Sequence, residues 1–198
     1  MTLERLVQSL RRQGPAPAYL FLGNEAHQRG RAKKALLEAA LPADERECGL
    51  AQYDLNECSL AEIIDDARSL SLFSSRRLLV AVNAEAALPR MKGDDSGEDE
   101  VASGGDAEPL ARYMQDPSPG VVLLFEATRF GFEGDEKKKL ERVRKFYSAI
   151  PETVELRRYS SEEAWTEAQA LARAAGIRIE PAALSLMVES LGADVSHI

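Results

Sequence analysis

Residues 18–40 read AYLFLGNEAHQRGRAKKALLEAA. A short apolar strand over residues 18–22 leads to Gly23, a polar loop follows, and an Ala- and Leu-rich pattern predicts a helix over about 26–40. A strand, a glycine turn and a helix in this order form the phosphate-binding unit of many α/β domains. The stretch therefore predicts an α/β fold, and the loop after the strand is the first place to look for a binding site.

That loop lacks the residues that hold a nucleoside triphosphate. A phosphate loop reads G-x-x-x-x-G-K-S/T, in which the lysine contacts the phosphates and the hydroxyl holds magnesium. With Gly23 as the first glycine, the glycine and lysine positions fall on Gln28 and Arg29. Gly30 takes the hydroxyl position, and if it is the second glycine instead, Arg and Ala follow it. The sequence predicts an ATPase-like architecture with a degenerate nucleotide site.

The strand that would supply magnesium ligands has also changed. In ATPases of this architecture, the apolar strand after the phosphate loop ends in carboxylates that hold the metal and polarise water. Here the run LLVAV (78–82) is followed by the neutral Asn83, and Glu85 lies two residues beyond it. The phosphate loop and the strand that would supply magnesium ligands therefore both lack the residues that a nucleotide site needs. The basic residues of the preceding helix are interpreted as its solvated face; they are Arg29, Arg31, Lys33 and Lys34.

Composition limits the other classes of function. The chain has 198 residues, of which 44% are apolar, enough for one α/β domain and a smaller piece. Its apolar runs are far shorter than the roughly 20 residues of a membrane span, and residues 1–13 form an amphipathic pattern rather than a signal peptide. Cys48 and Cys58 lack C-x-x-C spacing, and there are only two histidines. We expect a cytoplasmic protein with no metal, no cofactor and no membrane contact.

Most of the negative charge lies in one segment. The net charge is −8, and residues 90–108 contain seven acidic and two basic side chains, so the rest of the chain carries only −3. This segment is rich in Gly, Ser, Asp and Glu and predicts a disordered loop. The basic run KKKLERVRK (137–145) is interspersed with acidic residues and has no aromatic ladder, which favours a solvated helix over a nucleic-acid site.

The order of strands and helices predicts two units. Apolar strands at 18–22, near 51–55, at 78–82, at 121–125 and at 153–157 alternate with helices, typical of a parallel sheet covered on both faces. Capping patterns predict helix starts at Ser59, Asp135 and Ser160. Beyond Arg158 only helical patterns follow, with Leu171 at a core position and a third helix expected from Asp194. We expect an α/β domain over 1–158, with the acidic insert at 90–108, and a truncated helical domain over 159–198.

Residues 69–75, SLSLFSS, allow two interpretations. Periodicity favours Leu70, Leu72 and Phe73 as ordinary core residues between a helix and a buried strand. Alternatively, they form an apolar helix tip that enters a pocket of a partner protein. A large aliphatic residue beside an aromatic one, surrounded by small polar residues, is a common composition of interface hot spots.

The order of these pieces resembles the delta subunit family of bacterial DNA polymerase III. The resemblance runs from about Leu3 to Ile198 and rests on YLFLGNE, SLSLFSSRRLLVAVNAE, LARYMQDPSPGVVLLFEAT and the W-x(11)-I-x-I pattern over Trp165 to Ile179. Its most specific parts are the S-L-F element before the apolar strand and the absent phosphate loop at Gly23. The acidic insert departs from the usual pattern of the family.

The resemblance implies a AAA+ fold, in which a RecA-like α/β domain is followed by a small three-helix lid domain. It also implies that the protein neither binds nor hydrolyses ATP. It implies binding of the sliding clamp through Leu72 and Phe73, with Leu70 beside them, and stabilisation of the clamp's open form. A C-terminal collar domain, absent from this sequence, would join the delta-prime and gamma/tau subunits, and primer-template DNA would be reached mainly through the assembled complex.

Two alternatives remain at this point. The chain could be a divergent P-loop-type nucleotide-binding ATPase, which predicts magnesium-dependent ATP binding. It could also be an adaptor that shares only the fold of clamp-loader subunits, which predicts no binding to any sliding clamp. The resemblance favours a subunit without enzymatic activity of its own that belongs to the DNA-directed DNA polymerase holoenzyme.

Overall fold

The structure is a computed structural model that describes residues 1–71, 74–89 and 107–191. Helices and strands alternate along most of these ranges, with a 3-10 turn at Ala84–Ala87 after the third strand. In chain order the elements are α1 (Leu3–Gln13), β1 (Ala18–Leu22), α2 (Ala26–Ala40), α3 (Arg46–Gly49), β2 (Leu50–Asp54), α4 (Leu60–Arg68), β3 (Arg77–Val82), α5 (Glu108–Tyr113), β4 (Val121–Ala127), α6 (Glu136–Phe146), β5 (Glu152–Glu155), α7 (Ser161–Ala174) and α8 (Pro181–Leu191).

The five strands form one parallel sheet in the order β2-β3-β4-β1-β5. β1 lies between β4 and β5, with Leu20 opposite Phe125 on one side and Thr153 on the other. Because all strands run the same way, their carboxyl ends meet at one edge of the sheet and their amino ends at the opposite edge. The predicted parallel α/β fold is confirmed.

Both faces of the sheet are buried, as the continuous apolar strands predicted. Phe21 and Leu36 belong to the core beneath α1 and α2, whereas Leu20 and Ile63 belong to the core beneath α4, α5 and α6. Consecutive residues of β1 thus point to opposite faces, and all five of its residues are buried. Because the strands are buried on both faces, the positions of their ends are well defined, and the candidate sites lie at these ends.

Four strands differ slightly from their predicted bounds. β2 starts and ends one residue earlier than predicted, β3 starts one residue earlier, and β4 ends two residues later. β5 starts one residue earlier and ends at Glu155 instead of residue 157. The reason is the sheet register, in which Glu155 pairs with Leu22, the last residue of β1. Leu156 donates one more bond, to the Leu22 carbonyl at 2.8 Å, and then the chain leaves the sheet.

The capping predictions are confirmed at two of three helices. Reciprocal capping boxes are formed by Ser59 with Glu62 and by Ser160 with Glu163. The predicted helix start at Asp135 is confirmed, but this residue is itself helical and its side chain makes no capping bond. The Glu136 carboxylate instead accepts a bond from the Gly131 amide at 2.8 Å, which ties the helix to the loop before it.

The last two described helices pack on each other through small residues. Ala164 and Ala168 of α7 and Val188 of α8 are buried, with Trp165 partly buried at their side. Leu171 was predicted in this core, but it is 41% exposed because the contact follows the alanine face of α7.

Several predictions fall outside the described residues. They concern Leu72 and Phe73, the acidic insert up to residue 106, and the helix expected from Asp194. In the described ranges, no helix is both long and apolar enough to cross a membrane.

Candidate functional site

The loop after β1 is closed by its own neighbours. Gly23 has φ +115°, and its amide donates to the Ala127 carbonyl at 3.0 Å. A Cβ at this position would lie 2.2 Å from the Leu156 carbonyl oxygen and 2.7 Å from a ring carbon of Phe132. The predicted sharp turn at Gly23 is therefore present, and backbone and ring atoms press directly against it.

A carboxylate caps the helix that follows. Glu25 is the N-cap residue of α2, is only 7% exposed, and accepts a hydrogen bond from the His27 amide at 3.1 Å. Helix N-termini attract anions, and this is the position at which phosphate loops hold phosphate. A buried carboxylate here competes for the same amides and repels a second anion. Glu25 was not predicted from the sequence, because the usual N-cap residues are Ser, Thr, Asp and Asn rather than Glu.

Arg29 and Gly30 belong to regular helix rather than to a phosphate loop. The Arg29 amide donates to the Glu25 carbonyl at 3.1 Å, as in an ordinary first turn. Gly30 is exposed within α2, and a Cβ added there meets no atom within 4 Å. Neither residue therefore shapes a backbone concavity of the kind that cradles phosphate.

The basic residues of α2 are not all solvated, which corrects one prediction. Lys33 Nζ lies 2.9 Å from Glu126 Oε2, and the Glu126 side chain is only 5% exposed. Arg31 pairs with Glu167 of α7. Lys33 neutralises a buried carboxylate of β4, so its charge contributes to the stability of the fold. Arg31 links α2 to α7.

At the end of β3, Asn83 connects two strands. It adopts a left-handed conformation (φ 56°, ψ 42°), and its Nδ2 donates to Asp54 Oδ1 at 2.8 Å. That bond is the main reason why the pKa of Asp54 is lowered. Glu85 Oε1 accepts from the Arg129 amide at 3.0 Å. Among the described residues, no group of three or more His, Cys, Asp or Glu side chains is arranged to hold a metal ion.

Further side chains cover the same edge of the sheet. The Arg157 guanidinium lies over the Phe132 ring at 4.5 Å and is paired with Glu155. Gln28 Nε2 donates to the Arg157 carbonyl at 2.8 Å. The carboxyl edge around Gly23 is thus filled with the protein's own ring, cation and carboxylate.

The opposite edge of the sheet carries the segment between α4 and β3. Leu70 is 95% exposed, so the interpretation of Leu70 as a core residue is wrong. Leu72 and Phe73 lie outside the described residues. A single exposed leucine is common on protein surfaces. Leu70 is a candidate contact because it lies beside Leu72 and Phe73 in the sequence SLSLFSS.

The start of this segment is held by a polar network. Arg77 Nη1 donates to the Asp66 carbonyl at 2.7 Å and approaches the Ser69 carbonyl at 3.4 Å, while Nη2 pairs with the Asp66 carboxylate. Tyr53 donates its hydroxyl to Asp66 Oδ2 at 2.6 Å. Burial and this bond to a carboxylate raise the pKa of Tyr53 to about 12. The end of α4 is therefore fixed to the first residue of β3.

The end of the segment is held by a single carboxylate. Glu45 accepts bonds from the Ser75 amide at 2.8 Å, the Ser75 hydroxyl at 2.8 Å and the Arg76 amide at 2.9 Å. These bonds, led by the one from the Arg76 amide, lower the pKa of Glu45. Glu45 lies 30 residues before Ser75, so no local sequence pattern could have revealed the contact.

Two further contacts shape the segment. The Ser71 hydroxyl accepts from the Ser74 amide at 3.2 Å, and the two hydroxyl oxygens lie 3.0 Å apart. Gly120 has φ +77°, and a Cβ there would lie 2.7 Å from the Ser75 carbonyl oxygen. Only glycine at position 120 therefore leaves room for the backbone at Ser75, where the chain approaches β3.

A family model described as DNA polymerase III, delta subunit, matches residues 19–146, more than half of the chain. No curated protein matches the chain in sequence.

Two solved structures are similar in fold. The Bacillus subtilis DNA clamp loader delta protein (YqeN) is 20% identical with a TM-score of 0.64, covering 98% of this chain and 55% of that one. The Thermotoga maritima RuvB Holliday junction branch migration motor is 14% identical with a TM-score of 0.51, covering 98% of this chain and 56% of that one. This chain therefore spans just over half the length of either structure.

These similarities agree with the strand order and with helices on both faces of the sheet. The fold is of the AAA+ type, as the family resemblance implied. From the match over residues 19–146, we conclude that the chain belongs to the DNA polymerase III delta subunit family.

Proposed function

We propose that this chain acts in clamp loading: it binds the ring-shaped sliding clamp and stabilises the open form of the ring during DNA replication, without binding ATP itself. Membership of the delta subunit family supports the clamp-loader role. The observation that carries the proposal is the 95% exposure of Leu70 in a segment held at both ends by hydrogen bonds.

The proposed clamp-binding residues are Leu70, Leu72 and Phe73. Burying each large apolar side chain contributes about 1.5–3 kcal/mol. Shifting a clamp interface from mostly closed to mostly open requires roughly 5 kcal/mol of differential affinity. The free energy gained by burying two or three such side chains is therefore comparable to the free energy needed to open the ring. This holds provided that the side chains contact the closed ring less well than the open ring.

The filled edge around Gly23 supports the proposal that ATP is not bound. Glu25 caps the helix N-terminus, the Leu156 carbonyl and Phe132 press against Gly23, and Asn83 is bonded to Asp54. A triphosphate would meet a carboxylate where it needs amide donors and a cation.

In this proposal ATP acts through neighbouring subunits, and the chain has no catalytic activity of its own within the polymerase holoenzyme. The proposed neighbours are the delta-prime and gamma/tau subunits, contacted through a collar domain, and primer-template DNA is reached mainly in the assembled complex. We assign residues 1–158 to the RecA-like domain, with the acidic insert at about 90–108, and residues 159–198 to the lid, in a cytoplasmic protein.

The test is an equilibrium titration of the chain against two forms of the sliding clamp from the same organism. One is the native closed ring, and the other carries an interface substitution that keeps the ring open. We expect binding to both, and tighter binding to the open form by tenfold or more, on the order of 1.4 kcal/mol. Equal affinity for the two forms would contradict ring opening, and no binding to either would favour the adaptor alternative.

The ATPase alternative has its own test. Calorimetry with ATP and magnesium is expected to give no binding heat for the isolated chain. A one-to-one isotherm would favour a divergent nucleotide-binding enzyme over the function proposed here.

A further inference from the structure

We propose that Glu45 is a positioning residue for partner binding: its carboxylate holds Ser75 and Arg76, which follow the proposed clamp-binding residues in sequence, in the conformation that partner binding requires. This inference rests on the proposed function. It assigns a role to a residue that precedes the segment by 30 positions and does not itself need to touch the clamp.

The geometry supports a dedicated anchor. One carboxylate accepts three hydrogen bonds, all from the consecutive residues Ser75 and Arg76, at 2.8–2.9 Å. Hydrogen bonds to a charged acceptor are about twice as strong as neutral ones. The position of Glu45, in the turn directly before α3 and hence beside β2, is set by the body of the domain.

Apolar packing does little to order the described residues around this anchor. Leu70, Ser74 and Arg76 are described as exposed or only partly buried, so apolar packing contributes little at these positions. At the other end, Arg77 binds the carbonyls of Asp66 and Ser69. The described residues before and after Leu72 and Phe73 are thus held by charged side chains, Ser69 by the Arg77 guanidinium and Ser75 and Arg76 by the Glu45 carboxylate.

Holding a binding segment in its bound conformation removes an ordering cost from association. If only a fraction of molecules has the competent conformation, the apparent affinity falls by that fraction. For Glu45→Ala we expect the apparent association rate with the clamp to fall about tenfold, and the dissociation rate to stay nearly unchanged. A residue that merely stabilised the fold would change neither rate for the folded molecules.

Two variants and one local probe make the test specific. Glu45→Gln keeps one acceptor oxygen and is expected to lose less than Glu45→Ala, which provides a graded response even if the alanine variant folds poorly. Glu47→Ala removes an exposed carboxylate two residues further on, within α3, and controls for charge. Amide hydrogen exchange at Ser75 and Arg76 reports the anchor directly, and protection there should fall in both Glu45 variants.

The outcomes separate this inference from the proposed function. Slower association for the Glu45 variants, with Glu47→Ala resembling the wild type and with reduced protection at Ser75 and Arg76, supports the inference. A wild-type chain that binds the clamp while the Glu45 variants bind at the same rate overturns this inference alone. A wild-type chain that does not bind the clamp overturns the proposed function and this inference with it.

Discussion

Replacing Gly23 by alanine tests whether the former phosphate loop is closed as the structure describes. The residue has φ +115°, a conformation that costs an L-residue on the order of 1–2 kcal/mol. The new Cβ would also lie 2.2 Å from the Leu156 carbonyl oxygen, and relieving such overpacking costs about 1–3 kcal/mol more. We expect Gly23→Ala to lower the free energy of unfolding by about 2–5 kcal/mol.

The assay is thermal or urea unfolding, compared with two other glycines. For a domain of this size, the loss corresponds to a fall in melting temperature of roughly 4–20 °C. Gly134→Ala has the backbone cost without the contact, since φ is +55° and no atom lies within 4 Å, so we expect a loss of only about 1–2 kcal/mol. Gly30→Ala, in the exposed face of α2, is expected to stabilise the protein by about 0.5–1 kcal/mol.

The relative stabilities of the three variants show whether the loop after β1 is closed. A Gly23→Ala protein as stable as Gly134→Ala would mean that the Leu156 carbonyl and the Phe132 ring do not press on the loop. A destabilising Gly30→Ala would mean that Gly30 adopts a special backbone conformation, as a phosphate loop requires.

Two further predictions concern charged groups. Lys33→Met should lower the free energy of unfolding in urea by about 1–3 kcal/mol because it leaves the buried carboxylate of Glu126 unpaired, whereas Lys34→Met, on the exposed face of α2, should have little effect; equal losses would contradict the pairing. The Ser59 amide holds the pKa of Glu62 below its usual range, so the unfolded chain binds this proton at a higher pH than the folded chain does. Stability is therefore kept above about pH 4.5 and falls as the pH drops through the folded pKa, and Glu62→Gln should make melting temperatures less dependent on pH in this range.

Several helices and strands could be predicted because interactions between residues close in sequence determine them. The bounds of β1 and α2 are those read from residues 18–40, since an apolar run, a glycine turn and an amphipathic pattern each act within a few residues. The capping box at Ser59 was likewise readable from four consecutive residues. Where a strand ends is set by its neighbours, which is why β5 stops with β1 and was predicted too long.

The parts that could not be predicted depend on residues far apart in sequence. Lys33 meets Glu126 across 93 positions, and Glu45 meets Ser75 across 30. Charge patterning along one helix therefore suggested a solvated face where the fold provides a buried partner. Periodicity suggested a buried Leu70 for a similar reason: it detects an apolar residue at a helix end but not whether another element covers it.

The most direct test of the central claim measures the equilibrium affinity of the chain for the sliding clamp after Leu72→Ala and Phe73→Ala are combined, with Leu70→Ala tested separately. If these side chains are buried in the clamp, the double variant should lose about 3–6 kcal/mol, a hundredfold or more in affinity, while its melting temperature stays close to that of the wild type. A folded double variant that binds the clamp with wild-type affinity would contradict the account.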